Sequence, residues 1–322
     1  MTFDGDFSPK VVVTSRSFAK STVLKKELLR VFPNSFFTDH HQKLLGKKLT
    51  EFIGDADAAI VGVETIDDSV LEHTTKLKII SKYGVGLDNI DQESLKNRDI
   101  FLGWTGGTNK RSVAELTLCF MLGLCRNVFG SGFKLKNLEW EKDGGHQLSG
   151  KTVGIIGCGH TGSDIARLLA PFGCNLLIRD IVDKSIFCQE QGASQVSLEA
   201  VLEQSNIISL HVPLTKQTHQ MVNANFLKKM KSTSFLINTS RGQVVYQDAL
   251  KTALIQGDIS GAALDVFTEE PPIDKDFLSL PNLMVTPHIG GNAIEGVEAM
   301  GRAAIQHLVS FFKNSLKYKT ED

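Results

Sequence analysis

Three side chains in the last third of the chain are of the types needed for acid-base work on a small anion: Arg241 in Ile237-Asn238-Thr239-Ser240-Arg241-Gly242, Glu270 in Asp265-Val266-Phe267-Thr268-Glu269-Glu270-Pro271, and His288 in Thr286-Pro287-His288-Ile289-Gly290-Gly291. An imidazole titrates near neutrality, and a carboxylate at its second nitrogen fixes the tautomer and stabilises the imidazolium, so His288 and Glu270 read as a base and its orienter. The planar fork of Arg241 suits a carboxylate and a neighbouring carbonyl. Taken singly, each has a plainer reading: a loop-capping cation for Arg241, a surface charge for Glu270, a hydrogen-bonded turn histidine for His288. All three follow apolar runs that read as strands, and the carboxyl ends of strands in a doubly wound sheet face the ligand crevice.

Gly157-Cys158-Gly159-His160-Thr161-Gly162 adds a different chemistry. Glycines at this spacing also occur in ordinary turns, but here they follow the apolar run Thr152 to Ile156 and open a helical pattern containing Ile165, Ala166, Leu168 and Leu169. In that setting Gly157 allows a tight turn, Gly159 lets the backbone meet a pyrophosphate, and Gly162 lets the helix approach the sheet. The N–H groups at the helix start, around His160 and Thr161, then bind the anion. The next strand ends at Asp180, whose carboxylate can accept from both ribose hydroxyls and repel a 2'-phosphate, which favours NAD over NADP. Arg179 beside it could pair with such a phosphate, and a turn cap is the plainer reading of Asp180. A nicotinamide that accepts hydride, a base and a carboxylate anchor together predict interconversion of a 2-hydroxy acid and its 2-keto acid.

These residues need strand ends to stand on. Lys10 to Thr14, Ala58 to Val63, Leu77 to Lys82 and Ile100 to Leu102 read as strands separated by helix candidates. A second series follows Gly150, at Thr152 to Ile156, Asn175 to Ile178, Ile207 to His211, Ser234 to Asn238, Gly261 to Asp265 and Leu283 to Thr286. The alternation predicts an α/β protein with two doubly wound parallel-sheet domains, a Rossmann nucleotide domain and a flavodoxin-like substrate domain, with a cleft between them. Val113 to Cys125, with Asn109 as N-cap and an end near Arg126-Asn127, reads as a long buried helix joining the domains. The last helical pattern, Ala293 to Phe312, is placed to pack back on the first domain, and the polar tail from Lys317 to Asp322 is expected to fray.

Length and composition agree with an enzyme of two domains: 322 residues, 42% hydrophobic and 22% charged, exceed one ordinary core and match a folded rather than a disordered chain. With 35 Lys and Arg against 36 Asp and Glu there is no net field to attract nucleic acid or a membrane surface, so any anion site is local. The five cysteines lack the paired spacing of a zinc or CxxC site; they are expected to be mostly buried reduced thiols, and no metal is expected. The acidic start MTFDGDFSPK and the lack of a long apolar run give a cytoplasmic expectation.

From about Leu77 to Gly291 the chain resembles the D-isomer-specific 2-hydroxyacid dehydrogenase family. Lys82-Tyr83-Gly84-Val85-Gly86-Leu87-Asp88-Asn89-Ile90-Asp91 is similar to the family's substrate loop, Val113-Ala114-Glu115 to its linker helix, and the segments around Arg241, Glu270 and His288 to its catalytic blocks in order. The resemblance implies that Arg241 holds the substrate carboxylate, His288 is the acid-base, Glu270 pairs with it, and Asp265 sits near the nicotinamide carboxamide. Lys82, Tyr83, Gly84, Val85 and Gly86 would contact substrate, the Gly84-Val85-Gly86 turn through backbone N–H groups, though a plain strand-to-helix turn is the alternative. His211, Pro213, Thr218, Thr239 and Gly290 complete the expected cofactor-binding set. The family arrangement implies a substrate domain of residues 1–107 and 294–322, an NAD-binding domain of residues 108–293, and a homodimer.

Within that family the chain looks most like the phosphoglycerate dehydrogenases, through Lys82 at the place of a phosphate-binding cation and the segment Gly106-Gly107-Thr108-Asn109-Lys110-Arg111. Oxidation of 3-phosphoglycerate is the resulting expectation, with phosphate contacts from Lys82, Lys110 and Arg111, although such cations are more often solvated. The chain ends soon after the last helix pattern, so no regulatory domain is expected. Other substrates of the same fold stay open, among them glyoxylate, hydroxypyruvate, a phosphonate-bearing acid and phosphite. So does a non-catalytic NAD-sensing scaffold.

Overall fold

Strands buried on both faces need apolar residues at every position, not at alternate ones, and the chain's short runs have that character. In the computed structural model, which describes residues 8–39 and 43–317, Ala58–Val61, Ile79–Lys82, Ile207–Leu210 and Gly261–Leu264 are buried at all four positions. The expected fraying after Lys317 falls on residues outside those described. Two compact units result: the described residues up to Asn109 together with those from Ala293 onward, and Lys110–Asn292.

The first unit carries β1 (Val11–Val13), β2 (Ser35–Phe37), β3 (Ala58–Val61), β4 (Ile79–Lys82) and β5 (Phe101–Gly103) in a parallel sheet of order β2-β1-β3-β4-β5. That is the flavodoxin-like order, with its reversal between β1 and β3. One layer over the sheet contains the helix Thr22–Val31 and the C-terminal helix Ile294–Lys317, whose Met300, Ala304, Ile305, Leu308 and Phe312 join Val11, Val13, Leu24, Leu28 and Ile79 in one core. The last helix therefore does return to the first unit.

The second unit contains β6 (Thr152–Ile156), β7 (Asn175–Arg179), β8 (Ser194–Gln195), β9 (Ile207–Leu210), β10 (Phe235–Asn238), β11 (Gly261–Leu264) and β12 (Leu283–Val285). Their order β12-β11-β10-β9-β6-β7-β8 is parallel throughout and reverses between β6 and β9, the Rossmann pattern. Helix Lys110–Cys125 packs against helix His160–Leu169 and the sheet through Ala114, Phe120, Met121 and Cys125. It is not buried all round, because Cys119 and Leu122 face outward. Its end is marked by Asn127 in the left-handed region, φ 48°. Of the five cysteines Cys125, Cys158 and Cys188 are buried and all are free thiols. Among the described residues no single helix is long and apolar enough to cross a membrane.

Leu308 has no exposed surface, so Leu308→Ala removes a filled volume from the first unit's core. It is expected to cost about 2–5 kcal/mol of that unit's stability in a urea titration, with NADH binding by the second unit retained. A loss below about 1 kcal/mol would show that the C-terminal helix contributes little to that core.

Candidate active site

The loop after β10 begins at Asn238, whose side chain is fully buried. Its Oδ1 accepts from Ser240 N at 3.0 Å and Ser240 Oγ at 2.8 Å, while its Nδ2 donates to the Arg241 carbonyl at 2.9 Å. One amide thereby folds residues 239–241 into a fixed turn. Gly242 then passes against the next loop so closely that a Cβ there would lie 1.9 Å from the Phe267 carbonyl carbon and 2.0 Å from its oxygen. Only glycine allows that approach, which brings Arg241 into the electrostatic neighbourhood of Glu270 and His288.

Asp265, just beyond β11, is 1% exposed and organises the loop that carries His288. Its Oδ1 accepts from Thr286 Oγ1 at 2.5 Å and Ile289 N at 2.8 Å, its Oδ2 from Gly290 N at 2.7 Å, and its backbone oxygen from His288 N at 2.8 Å. His288 itself has φ 53°, a left-handed conformation that a residue with a Cβ holds only when its surroundings impose it. Ser112 Oγ fixes the far side of the loop by donating to the Gly290 carbonyl at 2.5 Å.

His288 Nδ1 meets Glu270 Oε2 at 2.7 Å, and Glu270 Oε1 accepts from Phe267 N at 3.1 Å. The hydrogen bond and charge of Glu270, with Asp265 behind, raise the His288 pKa above 6.5 against the opposing effects of burial and Arg241. For Glu270, burial alone would raise the pKa; the His288 hydrogen bond and charge, the Phe267 N–H and the Arg241 charge outweigh it and lower it. Both side chains keep a solvent-facing portion, and among the described residues His288 Nε2 has no protein hydrogen-bond partner.

The same unit carries the glycine turn. Gly157 has φ 94°, and a Cβ there would lie 2.6 Å from the His211 oxygen; at Gly162 it would lie 2.1 Å from the Gly157 oxygen. At Gly159 it would meet nothing within 4 Å, so the backbone is open where helix His160–Leu169 begins. First-turn N–H groups, those of His160 and Thr161 included, lack intrahelical acceptors, and the donor set and open face fit a pyrophosphate. Asp180 takes Cys158 N at 2.7 Å on Oδ2 and Val182 N at 3.0 Å on Oδ1. The turn-cap reading is therefore real, and it fixes the carboxylate beside the glycine turn with a lone pair left on each oxygen.

The remaining expected cofactor residues have definite partners. His211 Nε2 lies 2.7 Å from Ser209 Oγ, and burial pushes its pKa down to about 3, so the ring is neutral. Thr218 Oγ1 donates to the Pro213 carbonyl at 2.6 Å and accepts from Thr215 N at 2.8 Å, closing that loop on itself. Thr239 Oγ1 lies 3.0 Å from Thr117 Oγ1 of helix Lys110–Cys125.

In the first unit Lys82, expected to contact phosphate, has its ammonium turned to protein partners. It is 5% exposed, and its ammonium is bonded to the Gly62 carbonyl and, at 2.7 Å, to Asn89 Oδ1. Burial of an ammonium requires such partners, which is why it turns inward. Tyr83 is likewise buried, its hydroxyl 3.0 Å from Ser17 Oγ, and burial raises its pKa. The turn Gly84-Val85-Gly86 is partly exposed, with Gly84 at φ 123°, and among the described residues its three N–H groups donate to no protein acceptor. Arg111 also departs from expectation: it pairs with buried Asp164 through Nη2–Oδ1 and Nε–Oδ2 approaches of 2.9 Å, the second too far out of line to be a hydrogen bond. Lys110 is exposed.

Asn238, Gly242, Thr286 and Asn89 were not singled out in the sequence. Asn238 with Ser240 two residues on is the signature of an Asx turn, and Asn89 gives no signal until its distance from Lys82 is known.

Taken together, a Rossmann sheet with an open glycine turn and a carboxylate-held histidine defines an NAD-dependent oxidoreductase. The model of the D-isomer specific 2-hydroxyacid dehydrogenase NAD binding domain matches residues 118–290. The chain is 37% identical to glyoxylate reductase of Thermococcus litoralis over 278 residues, covering 83% of this chain and 84% of that one. It is 34% identical to hydroxypyruvate reductase of Thermotoga maritima over 301 residues, 92% and 94% of the two chains. The crystal structure of D-lactate dehydrogenase from Aquifex aeolicus with NAD and lactic acid superposes with a TM-score of 0.82 at 28% identity, covering 95% of this chain and 96% of that one. The protein belongs to the D-isomer-specific 2-hydroxyacid dehydrogenase family and is an oxidoreductase with an NAD-binding domain.

Glu270→Gln tests the charge relation. With the carboxylate gone, burial and Arg241 act on His288 unopposed by Glu270, so its pKa falls. If His288 is the proton donor in reduction of a keto acid, kcat/KM declines as pH rises through the His288 pKa, and in the variant this decline shifts to lower pH. Histidine ring titration by NMR measures the shift directly, and an unaltered His288 pKa would contradict the pairing.

Proposed function

We propose that the protein reduces a small unphosphorylated 2-keto acid, of the glyoxylate or hydroxypyruvate kind, and oxidises the corresponding D-2-hydroxy acid in the reverse direction. The observation that carries this reading is the His288–Glu270 pair at 2.7 Å, in the same unit as the open glycine turn and within the field of Arg241. NADH, when bound, supplies the hydride. The chain supplies the rest. Arg241 holds the substrate carboxylate. In the first unit, taken by itself, the N–H groups of Gly84, Val85 and Gly86 are donors of the kind a carboxylate accepts from, and substrate binding is proposed for that turn too. Imidazolium His288 donates its Nε2 proton to the oxygen that gains negative charge, and becomes neutral; Glu270 keeps Nδ1 protonated and the ring oriented. Asp180 takes the adenosine ribose, the turn from Gly157 to Gly162 the pyrophosphate, and His211, Pro213, Thr218, Thr239, Asp265 and Gly290 the remaining length of the cofactor. On this reading the unit with β6–β12 is the NAD-binding domain and the unit with β1–β5 the substrate domain.

The choice of an unphosphorylated acid rests on the cations. A phosphoryl group needs charge-assisted donors, and of the three expected ones Lys82 is buried on Gly62 and Asn89, Arg111 is drawn to Asp164 through one edge of its guanidinium, and Lys110 is exposed. The relatives named glyoxylate and hydroxypyruvate reductases support the same choice. A homodimer is proposed on the family resemblance; it would cover Phe129, Phe133, Leu138 and Trp140, which are 53–93% exposed.

An NADH-linked screen of the purified protein tests the substrate. Glyoxylate or hydroxypyruvate is expected to exceed 3-phosphohydroxypyruvate in kcat/KM by about tenfold or more, the discrimination a missing anion site gives. The reverse preference would restore the phosphorylated substrate, and NADH binding without turnover of any keto acid would favour an NAD-sensing scaffold. Direct titration is expected to show tighter binding of NADH than of NADPH, since Asp180 repels a 2'-phosphate; equal or tighter NADPH binding refutes that preference.

A further inference from the structure

The loop that follows β4 in the first unit is braced at its base, its middle and its end. Lys82 and Asn89 flank it, and their side chains meet across its base, Nζ to Oδ1 at 2.7 Å. Both also converge on one peptide group of the preceding loop: the Lys82 ammonium and, at 3.2 Å, Asn89 Nδ2 donate to the Gly62 carbonyl. The N–H of the same Gly62 donates to Glu64 Oε2 at 2.7 Å, and that oxygen also accepts from Thr14 Oγ1 at 3.0 Å. Glu64 is 1% exposed, so a buried carboxylate and a buried ammonium hold the two ends of a single residue. Asn89 Nδ2 reaches the Glu64 carbonyl as well.

Midway along the loop, the Val85 carbonyl accepts from the Trp104 indole N–H at 3.0 Å. The loop ends where Asp91 caps helix Gln92–Lys96, accepting from Glu93 N and Ser94 N, each at 3.1 Å. The Val85 carbonyl and the Lys82 and Asn89 side chains are thus engaged, while the N–H groups of Gly84, Val85 and Gly86 have no acceptor among the described residues. A receptor that fixes its donors before the ligand arrives avoids ordering them at the moment of binding.

We infer that Asn89 and Trp104 are positioning residues for substrate binding: Asn89, with Lys82 and Glu64 behind it, staples the base of the Gly84-Val85-Gly86 turn, and Trp104 holds its middle, so that the turn's N–H groups stay preset for a carboxylate. Neither residue touches the substrate. The inference rests on the proposed role of this turn in carboxylate binding, and it departs from the expectation that Lys82 contacts the substrate, since its ammonium acts here through Asn89 and Gly62.

Two variants loosen the brace without altering the turn. Asn89→Ala removes the staple, and Trp104→Phe removes one N–H while keeping an aromatic ring. In each, the KM for glyoxylate is expected to rise about tenfold, the cost of a misplaced donor set, with kcat within about twofold and the NADH dissociation constant unchanged. Amide hydrogen exchange at 84–88 should quicken while that of the second unit does not. A third variant, Val85→Pro, deletes one of the proposed donors and tests the underlying reading, with thermal unfolding used to confirm that the fold survives. If Val85→Pro raises KM but Asn89→Ala and Trp104→Phe leave both KM and exchange unchanged, the brace is refuted and the reading stands. If Val85→Pro leaves KM unchanged in a folded protein, the turn does not bind substrate and both fall. A fall in kcat without a change in KM in the brace variants would also overturn the inference, because it would place these residues in the chemical step.

Discussion

The geometry of the candidate active site depends on one buried carboxylate. Asp265 gathers a side-chain hydroxyl and two backbone N–H groups on its oxygens, and its peptide oxygen takes the N–H of His288 itself. An isolated buried charge is costly, but one that accepts several hydrogen bonds is stable and rigid, and its partners become fixed in turn. That rigidity lets His288 keep a left-handed backbone and present its ring to Glu270. Gly242 imposes the complementary constraint, since the close passage of the Arg241 loop over Phe267 admits no side chain.

The first unit solves a similar problem with different residues. There the Gly62 peptide is held from both sides, by a carboxylate on its N–H and an ammonium on its carbonyl, and the loop that follows β4 is stapled to it. In both units a buried charged side chain at or just past a strand end fixes the neighbouring loop through hydrogen bonds to it. Doubly wound sheets make this possible because their strands end together, and loops from neighbouring strands lie within reach of one side chain.

Much of this was legible in the sequence because the sheets are parallel and buried on both faces, which turns strands into continuous apolar runs. Ten of the twelve strands among the described residues stand out in that way; β8, the polar pair Ser194–Gln195, and β2, Ser35–Phe37, do not. The glycine turn was legible because two of its glycines, Gly157 and Gly162, mark backbone approaches that exclude a side chain. Direction was not legible for long cations. Lys82 and Arg111 read from the chain as phosphate ligands, yet burial sends one to a carbonyl and an amide and a neighbouring helix offers Asp164 to the other. A residue type states what a side chain can bind, and its partners are decided by packing. Asp180 caps its turn through Cys158 N and Val182 N, which fixes its carboxylate beside the glycine turn.

The most direct test of the central claim is the rate of hydride transfer in a single turnover of NADH and glyoxylate with His288→Gln, which keeps the ring's bulk and polarity but cannot carry the proton. With NADH affinity unchanged, the rate should fall by about 10²–10⁴-fold, the usual contribution of a positioned acid. A variant that transferred hydride within about twofold of the native rate would show that His288, with the loop that Asp265 builds around it, is not the proton donor.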